Sequence, residues 1–310
     1  MSLTSFLPVF ATLLLGLFFP VNGKLAWRDT KFLFVFGDSY SAMGFNTSTT
    51  AGFIQATPPV TSSNGPNWVQ FLGGTYNITE TQILNLAVAG ATTDAAIVPP
   101  KKEVMSLVDQ VSQFSQFMAP RPSGAQWESS NTLFAVWIGI NDIDFSFSWT
   151  NVSHPQLYTN ITNRLLTQLD VLYNSGARSF MFLTVPPIDR APLWTQQGPK
   201  MVTQIRPLIA DYNRQLIGAV THFEKSHVDL DTVTIFDTHP IFNTLLDNAQ
   251  TIGFVNSTGF CLPYLNGTPE RTTQIDPCAP VSSYFWLNTL HPLFTVHNIL
   301  AHAISTVLSA

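Results

Sequence analysis

Four polar residues stand where apolar runs give out, and together they suit acyl transfer. Ser39 follows the run Phe32 to Phe36, Gly90 follows Ile83 to Ala87, Asn141 follows Thr132 to Ile138, and His291 precedes the last amphipathic stretch. A serine hydroxyl is a weak nucleophile until a base takes its proton, and histidine is the side chain whose pKa suits that work. The tetrahedral intermediate needs hydrogen-bond donors aimed at its oxyanion. A backbone N–H at a glycine, where no side chain obstructs approach, and an asparagine amide both serve. Taken singly, each residue has an ordinary structural reading. Gly37-Asp38-Ser39 and Asn141-Asp142 make turns, Gly90 answers to backbone geometry, and His291 is one of 7 histidines. The weight lies in the combination.

The elements that position these residues follow from the apolar pattern. Short β-favouring runs ended by Gly, Pro or polar clusters read as buried strands. They are Phe32 to Phe36, Ile83 to Ala87, Thr132 to Ile138, Ser179 to Val185 and Thr232 to Phe236. Helical spacing runs from Lys101 to Met118, through Val104, Leu107, Val108, Val111, Phe114 and Phe117. Further helices are expected at Gln156 to Asn174, with Gly176 as C-cap, at Met201 to Phe223, at Pro240 to Asn248, and in a tail striped by Val296, Ile299, Leu300, Ile304 and Val307. Asn67 to Leu72 starts a short helix, and Asn46 to Pro66, without periodicity, reads as a surface loop. Strands alternating with helices imply a three-layer α/β/α domain around a five-stranded parallel sheet. In such sheets functional groups gather at the carboxyl ends of the strands, where Ser39 is placed.

Residues 1–23 hold no Asp, Glu, Lys or Arg, and Phe6 to Phe19 is almost wholly apolar. This reads as a secretory signal peptide, its core too short to span a membrane, which takes about 20 residues. The rest, 24–310, reads as one domain, since no linker, repeat or low-complexity tract divides it. A net charge of −5 with 11% charged residues disfavours nucleic acid and anionic membrane partners. Asn46, Asn77, Asn151, Asn160, Asn256 and Asn266 open N-x-S/T sequons, which after a signal peptide suggest a secreted glycoprotein. Cys261 and Cys278 are the only cysteines, and an oxidising compartment favours their pairing as one disulfide. There is no G-x-S-x-G, so the α/β-hydrolase nucleophile turn is absent as a motif. There is no H-E-x-x-H either, and His297 and His302 are spaced wrongly for one helix face, so no metal site is read.

Four blocks resemble the SGNH (GDSL) hydrolases: GDSYS around Ser39, NLAVAGATTD around Gly90, GIND around Asn141 and NTLHP around His291. The resemblance covers residues 32 to 310. SNGPNWVQFL and GATTDAAIVPP look most like secreted fungal carbohydrate acetylesterases. It implies a flavodoxin-like fold and ester hydrolysis through an acyl-enzyme, with neither metal nor cofactor. It also implies Ser39 as nucleophile, His291 as general base, and an oxyanion hole of the Ser39 N–H, the Gly90 N–H and the Asn141 amide. The family carries Asp three residues before the histidine, and this sequence has Asn288. Either the Asn288 oxygen or a backbone carbonyl orients the ring, or another carboxylate does, with Asp142, Asp144 and Asp237 near strand ends. The reading favoured is a Ser-His dyad, with or without help from Asn288.

Tyr40, Phe145 and Trp149, in loops after strand ends, are the expected aromatic walls of a substrate pocket, whereas Trp137 lies in a strand and belongs to the core. The substrate expected is a small-molecule or oligosaccharide ester, the protein a secreted monomer with no stable membrane association. Three functions compete: an acetylesterase acting on plant cell-wall saccharides, a lipase-like general carboxylesterase, and a catalytically silent glycan-binding protein of the same fold.

Overall fold

A computed structural model describes residues 25–49, 52–55 and 58–310, with side chains at 46–57 outside the description. The expected signal peptide lies outside the described residues, as does the side chain of Asn46. The strands in chain order are β1 (Phe32–Gly37), β2 (Phe45–Thr49), β3 (Gly52–Gln55), β4 (Gln82–Asn85), β5 (Thr132–Trp137), β6 (Ser179–Leu183) and β7 (Thr232–Phe236). Five of them form one sheet in the order β4-β1-β5-β6-β7, with every neighbouring pair parallel. The order reverses between β1 and β5, and that reversal is where open α/β sheets place their ligands.

The helices are α1 (Trp68–Gly74), α2 (Leu107–Phe117), α3 (Ile140–Ser146), α4 (His154–Asn174), α5 (Pro192–Thr195), α6 (Pro199–Ser226), α7 (His239–Asp247), α8 (Ala249–Ile252) and α9 (Phe294–Leu308). Successive side chains of a strand point to opposite faces, and β1 shows it. Phe34 meets Phe114 of α2 with ring centroids 5.2 Å apart, while Leu33 points toward Gly73 of α1. Helices α2, α4 and α6 line one face, and α1 and α9 pair on the other. Around Phe34, the rings of Phe114, Trp127 and Phe134 close an aromatic cluster. Burial of each such ring contributes about 1.5–3 kcal/mol.

Three local expectations change. The stretch Asn46 to Pro66 is not all loop, because β2 and β3 pair antiparallel within it. Its Thr-rich run favours extended backbone without the alternation that would have marked it. The second sheet strand stops at Asn85, two residues short of the apolar run. There Asn85 Oδ1 accepts the Ala87 N–H at 3.0 Å and turns the chain away. Helix α2 begins at Leu107 rather than Lys101, because Ser106 and Asp109 form a capping box that outweighs the apolar period reaching back to Val104.

Candidate active site

Ser39 sits on a tight turn after β1. Asp38 carbonyl accepts the Ser41 and Ala42 N–H groups, and Asp38 Oδ1 accepts the Tyr40 N–H at 3.0 Å. Buried amides hold this turn in place. Gln110 of α2 takes the Gly37 N–H on its Oε1 at 2.9 Å and gives its own N–H to the Gly37 carbonyl at 2.8 Å. Asn67, the N-cap of α1, donates to the Ser41 and Ala42 carbonyls, and Asn85 donates to the Ser41 carbonyl at 2.7 Å. Sequence reasoning missed all three. For Gln110 the available signal was a polar residue inside the apolar stripe of Leu107, Val111 and Phe114.

The Gly90 segment is a type II turn in which the Ala91 N–H bonds the Val88 carbonyl. Gly90 takes the position that requires positive φ, at +83°, which suits glycine. Helix α3 starts immediately after the Gly139 bend and carries Asn141 in its first turn. One amide hydrogen of Asn141 goes to the Ala91 carbonyl at 2.8 Å, leaving the other free. The next residue, Asp142, accepts the Thr93 N–H and hydroxyl, which ties the two loops together. Among the described residues the Ser39 and Gly90 N–H groups have no acceptor within the protein. Three donors from β1, β4 and β5 ends are therefore available for an anionic oxygen.

His291 lies on the loop before α9, pinned by Leu287 N–H to His291 carbonyl and Leu293 N–H to Phe285 carbonyl bonds. Its Nε2 is 2.7 Å from Ser39 Oγ and its Nδ1 is 3.0 Å from Asn288 Oδ1. That amide cannot be turned over without loss, because the same Oδ1 accepts the Leu290 N–H at 3.0 Å and the His291 N–H at 2.8 Å. An oxygen facing Nδ1 requires the ring proton to sit there, which leaves the Nε2 lone pair toward the serine hydroxyl. Asn288 thus sets the tautomer with no negative charge. Burial pushes the His291 imidazole down to about 4, and among the described residues no carboxylate touches the ring to pull it back. Asp142 is spent on Thr93, and Asp237 bonds the Thr184 hydroxyl and the His239 N–H.

Two buried carboxyls lie beneath the site. Burial pushes Asp38 up to about 7, with Asp142 adding to the rise, and burial does the same for Asp142 against the pull of its Thr93 bonds. Asp38 Oδ2 is buried without a partner, consistent with a group that resists ionising.

One of the three expected pocket walls, Tyr40, is placed elsewhere. Tyr40 is only 1% exposed; its hydroxyl donates to the Leu290 carbonyl at 2.6 Å, and its ring lies against Trp137 and His291. It supports the histidine loop from below and lines no open space, since a short tight turn after a strand folds its side chain back into the core. Phe145 is on helix α3 rather than a loop. Phe145 and Trp149 are half-buried against the core. Trp137 is fully buried in β5, its indole N–H on the Thr184 carbonyl. His297 is buried and accepts the Trp68 N–H on Nδ1. Cys261 and Cys278 are joined as a disulfide. Asn151, Asn160 and Asn266 are exposed, while Asn77 and Asn256 are half-buried. Among the described residues no cluster of three or more His, Cys, Asp or Glu side chains is arranged to hold a metal ion.

Known proteins resemble this chain in both sequence and fold. A family model described as GDSL-like Lipase/Acylhydrolase matches residues 33–304. An acetylesterase of Thermothelomyces thermophilus is 35% identical over 285 residues, 89% of this chain and 88% of that protein. The thermolabile hemolysin of Vibrio parahaemolyticus is 24% identical over 251 residues, 77% of this chain and 54% of that protein. A variant of an acetyl xylan esterase from Geobacillus stearothermophilus shares the fold, with a TM-score of 0.51 at 15% identity over 90% of this chain and 94% of that one. From β1 to the final helix, the chain belongs to the GDSL-like lipase/acylhydrolase family and is a carboxylic-ester hydrolase.

Proposed function

We propose that the protein is a secreted serine esterase that removes acetyl groups from plant cell-wall saccharides. The observation that carries this reading is the chain Ser39 Oγ, His291 Nε2, His291 Nδ1, Asn288 Oδ1, with contacts of 2.7 and 3.0 Å. Ser39 attacks the ester carbonyl as its proton passes to Nε2. The carbonyl oxygen, now negative, takes hydrogen bonds from the Ser39 N–H, the Gly90 N–H and the free Asn141 amide hydrogen. As the tetrahedral centre collapses, the imidazolium gives its proton to the departing alkoxide, leaving acyl-Ser39. Water attacks next, losing its proton to Nε2, and the second collapse returns a proton to Ser39 and releases the acid. Asn288 keeps the ring oriented throughout and offers a neutral acceptor to the transient imidazolium.

The acetyl preference is supported by the named activity of the 35% identical relative. Secretion is supported by the charge-free residues 1–23 and the sequons, together with the disulfide. The test is hydrolysis of 4-nitrophenyl acetate, butyrate and octanoate, with Ser39→Ala as control. A steep fall with chain length, lost in the variant, supports an acetylesterase. A preference for octanoate moves the reading to a lipase, and no activity on any of them leaves a glycan-binding role. Expression from a secreting eukaryotic host should yield a mature chain beginning at Lys24.

A further inference from the structure

We propose that the cleft beside His291 receives the alcohol half of the ester, a neutral, hydroxyl-rich leaving group, and that Asn64 and Thr268 are positioning residues that hold its two walls together. This rests on the esterase reading above. The cleft has a volume of about 850 Å³, runs between residues 59–66 and 265–271, and has His291 and Asn288 but not Ser39, Gly90 or Asn141 in its lining. That asymmetry assigns the cleft a role. The histidine that deprotonates Ser39 must also protonate the leaving oxygen, so the alcohol departs on the His291 side. The volume falls within the about 300–1,000 Å³ usual for ligand sites and is far more than an acetyl group fills.

The lining decides the chemistry. Its only carboxylate and its only guanidinium are the neighbours Glu270 and Arg271, so their charges offset, and most of the remaining polar lining consists of neutral hydroxyls and amides. A neutral polyol fits this lining better than a uronate chain or an acyl tail. The far wall lies within the loop closed by the Cys261–Cys278 disulfide. The walls are tied by a reciprocal pair. Asn64 Nδ2 donates to Thr268 Oγ1 at 2.8 Å, and the Thr268 N–H donates to Asn64 Oδ1 at 2.7 Å. Asn64 holds φ at +55°, a conformation Asn tolerates better than most side chains.

The test compares kcat/KM on acetylated xylotriose with that on 4-nitrophenyl acetate, whose small leaving group does not need the far wall. Asn64→Gly keeps the positive φ and removes both bonds, and the saccharide-to-aryl ratio should fall roughly tenfold through KM. Asn64→Asp restores an acceptor for the Thr268 N–H but not the donor to Thr268 Oγ1, whose own hydrogen goes to the Glu270 carbonyl, and should recover part of the ratio. An unchanged ratio in Asn64→Gly, or no recovery in Asn64→Asp, would overturn the proposal. In the wild-type protein, unacetylated xylotriose should slow amide hydrogen exchange at 59–66 and 262–277; protection confined to other segments would contradict it. Equal turnover of an acetylated galacturonate trimer would remove the preference for a neutral leaving group. Wild-type hydrolysis of the aryl ester but not the saccharide ester would sink this inference alone. Hydrolysis of neither would sink the esterase reading with it.

Discussion

The two sides of the site are built by different means. On the oxyanion side, Ser39, Gly90 and Asn141 come within a few residues of β1, β4 and β5, and buried bonds lock the Gly90 and Asn141 segments to one another through Ala91, Thr93 and Asp142. On the histidine side, His291, Asn288 and the 265–271 wall of the cleft come from a long stretch after α8 in which short 3-10 turns are the only helices before α9, while the 59–66 wall comes from the loop before α1. That stretch is held by the Cys261–Cys278 disulfide, the Tyr40 hydroxyl and the Asn64–Thr268 pair. The oxyanion of every ester is the same, so its donors can hang from a rigid sheet. The leaving group differs from ester to ester, and the loops that meet it can vary without disturbing the sheet.

The largest effects should fall where the two sides meet. Ser39→Ala should lower kcat on 4-nitrophenyl acetate by about 10⁶-fold with an unchanged melting temperature. A residual rate within about tenfold of wild type would show that another group attacks. On the oxyanion side alone, Asn141→Ala should cost about 10²–10³ in kcat with little change in KM. A change confined to KM would mean Asn141 binds the ground state instead.

Gln110→Leu probes the rigidity of that side. It leaves the buried Gly37 N–H without its acceptor, which should cost about 1–3 kcal/mol in urea unfolding and lower kcat through the Ser39 turn. A stable variant with a wild-type rate would show that β1 holds the turn unaided. The buried carboxyls add a pH signature. Asp142 has its folded pKa raised to about 7, above an unfolded value of about 3.9. The folded state therefore binds more protons between these values, so stability is full below the unfolded pKa and falls as pH rises through the folded one. Wild type should lose more melting temperature from about pH 5 to about pH 8 than Asp142→Asn does. Equal losses would place the buried charge elsewhere.

How much was legible from sequence follows the same division. Ser39, Gly90 and Asn141 each close an apolar run, and strand order plus helix alternation bring such ends together. The β4 end at Asn85 and the α2 start at Leu107 shifted because single side-chain bonds, from Asn85 and Ser106, override apolar pattern. Tyr40 read as a pocket wall because sequence places it after a strand but does not show that its ring turns inward beneath His291. Asn64 and Thr268 are far apart in the chain, polar and surrounded by loop residues, so no local pattern could pair them. Gln110 was visible only as an interruption in an apolar stripe.

Asn288 is the hinge of the comparison, the one neutral residue where an Asp is usual. Replacing it with Asp should change kcat by less than about tenfold at alkaline pH, since both side chains offer an oxygen to Nδ1. A carboxylate beside the ring favours the imidazolium, so the His291 pKa should rise by about 1–3 units. The most direct measurement is the pH profile of kcat/KM on 4-nitrophenyl acetate for wild type and Asn288→Asp. The expected result is an acid limb near 4 in wild type, where burial leaves His291, moving to higher pH in the variant. An acid limb near the ordinary histidine value in wild type, unmoved by the substitution, would contradict the assignment of His291 as a base oriented by Asn288.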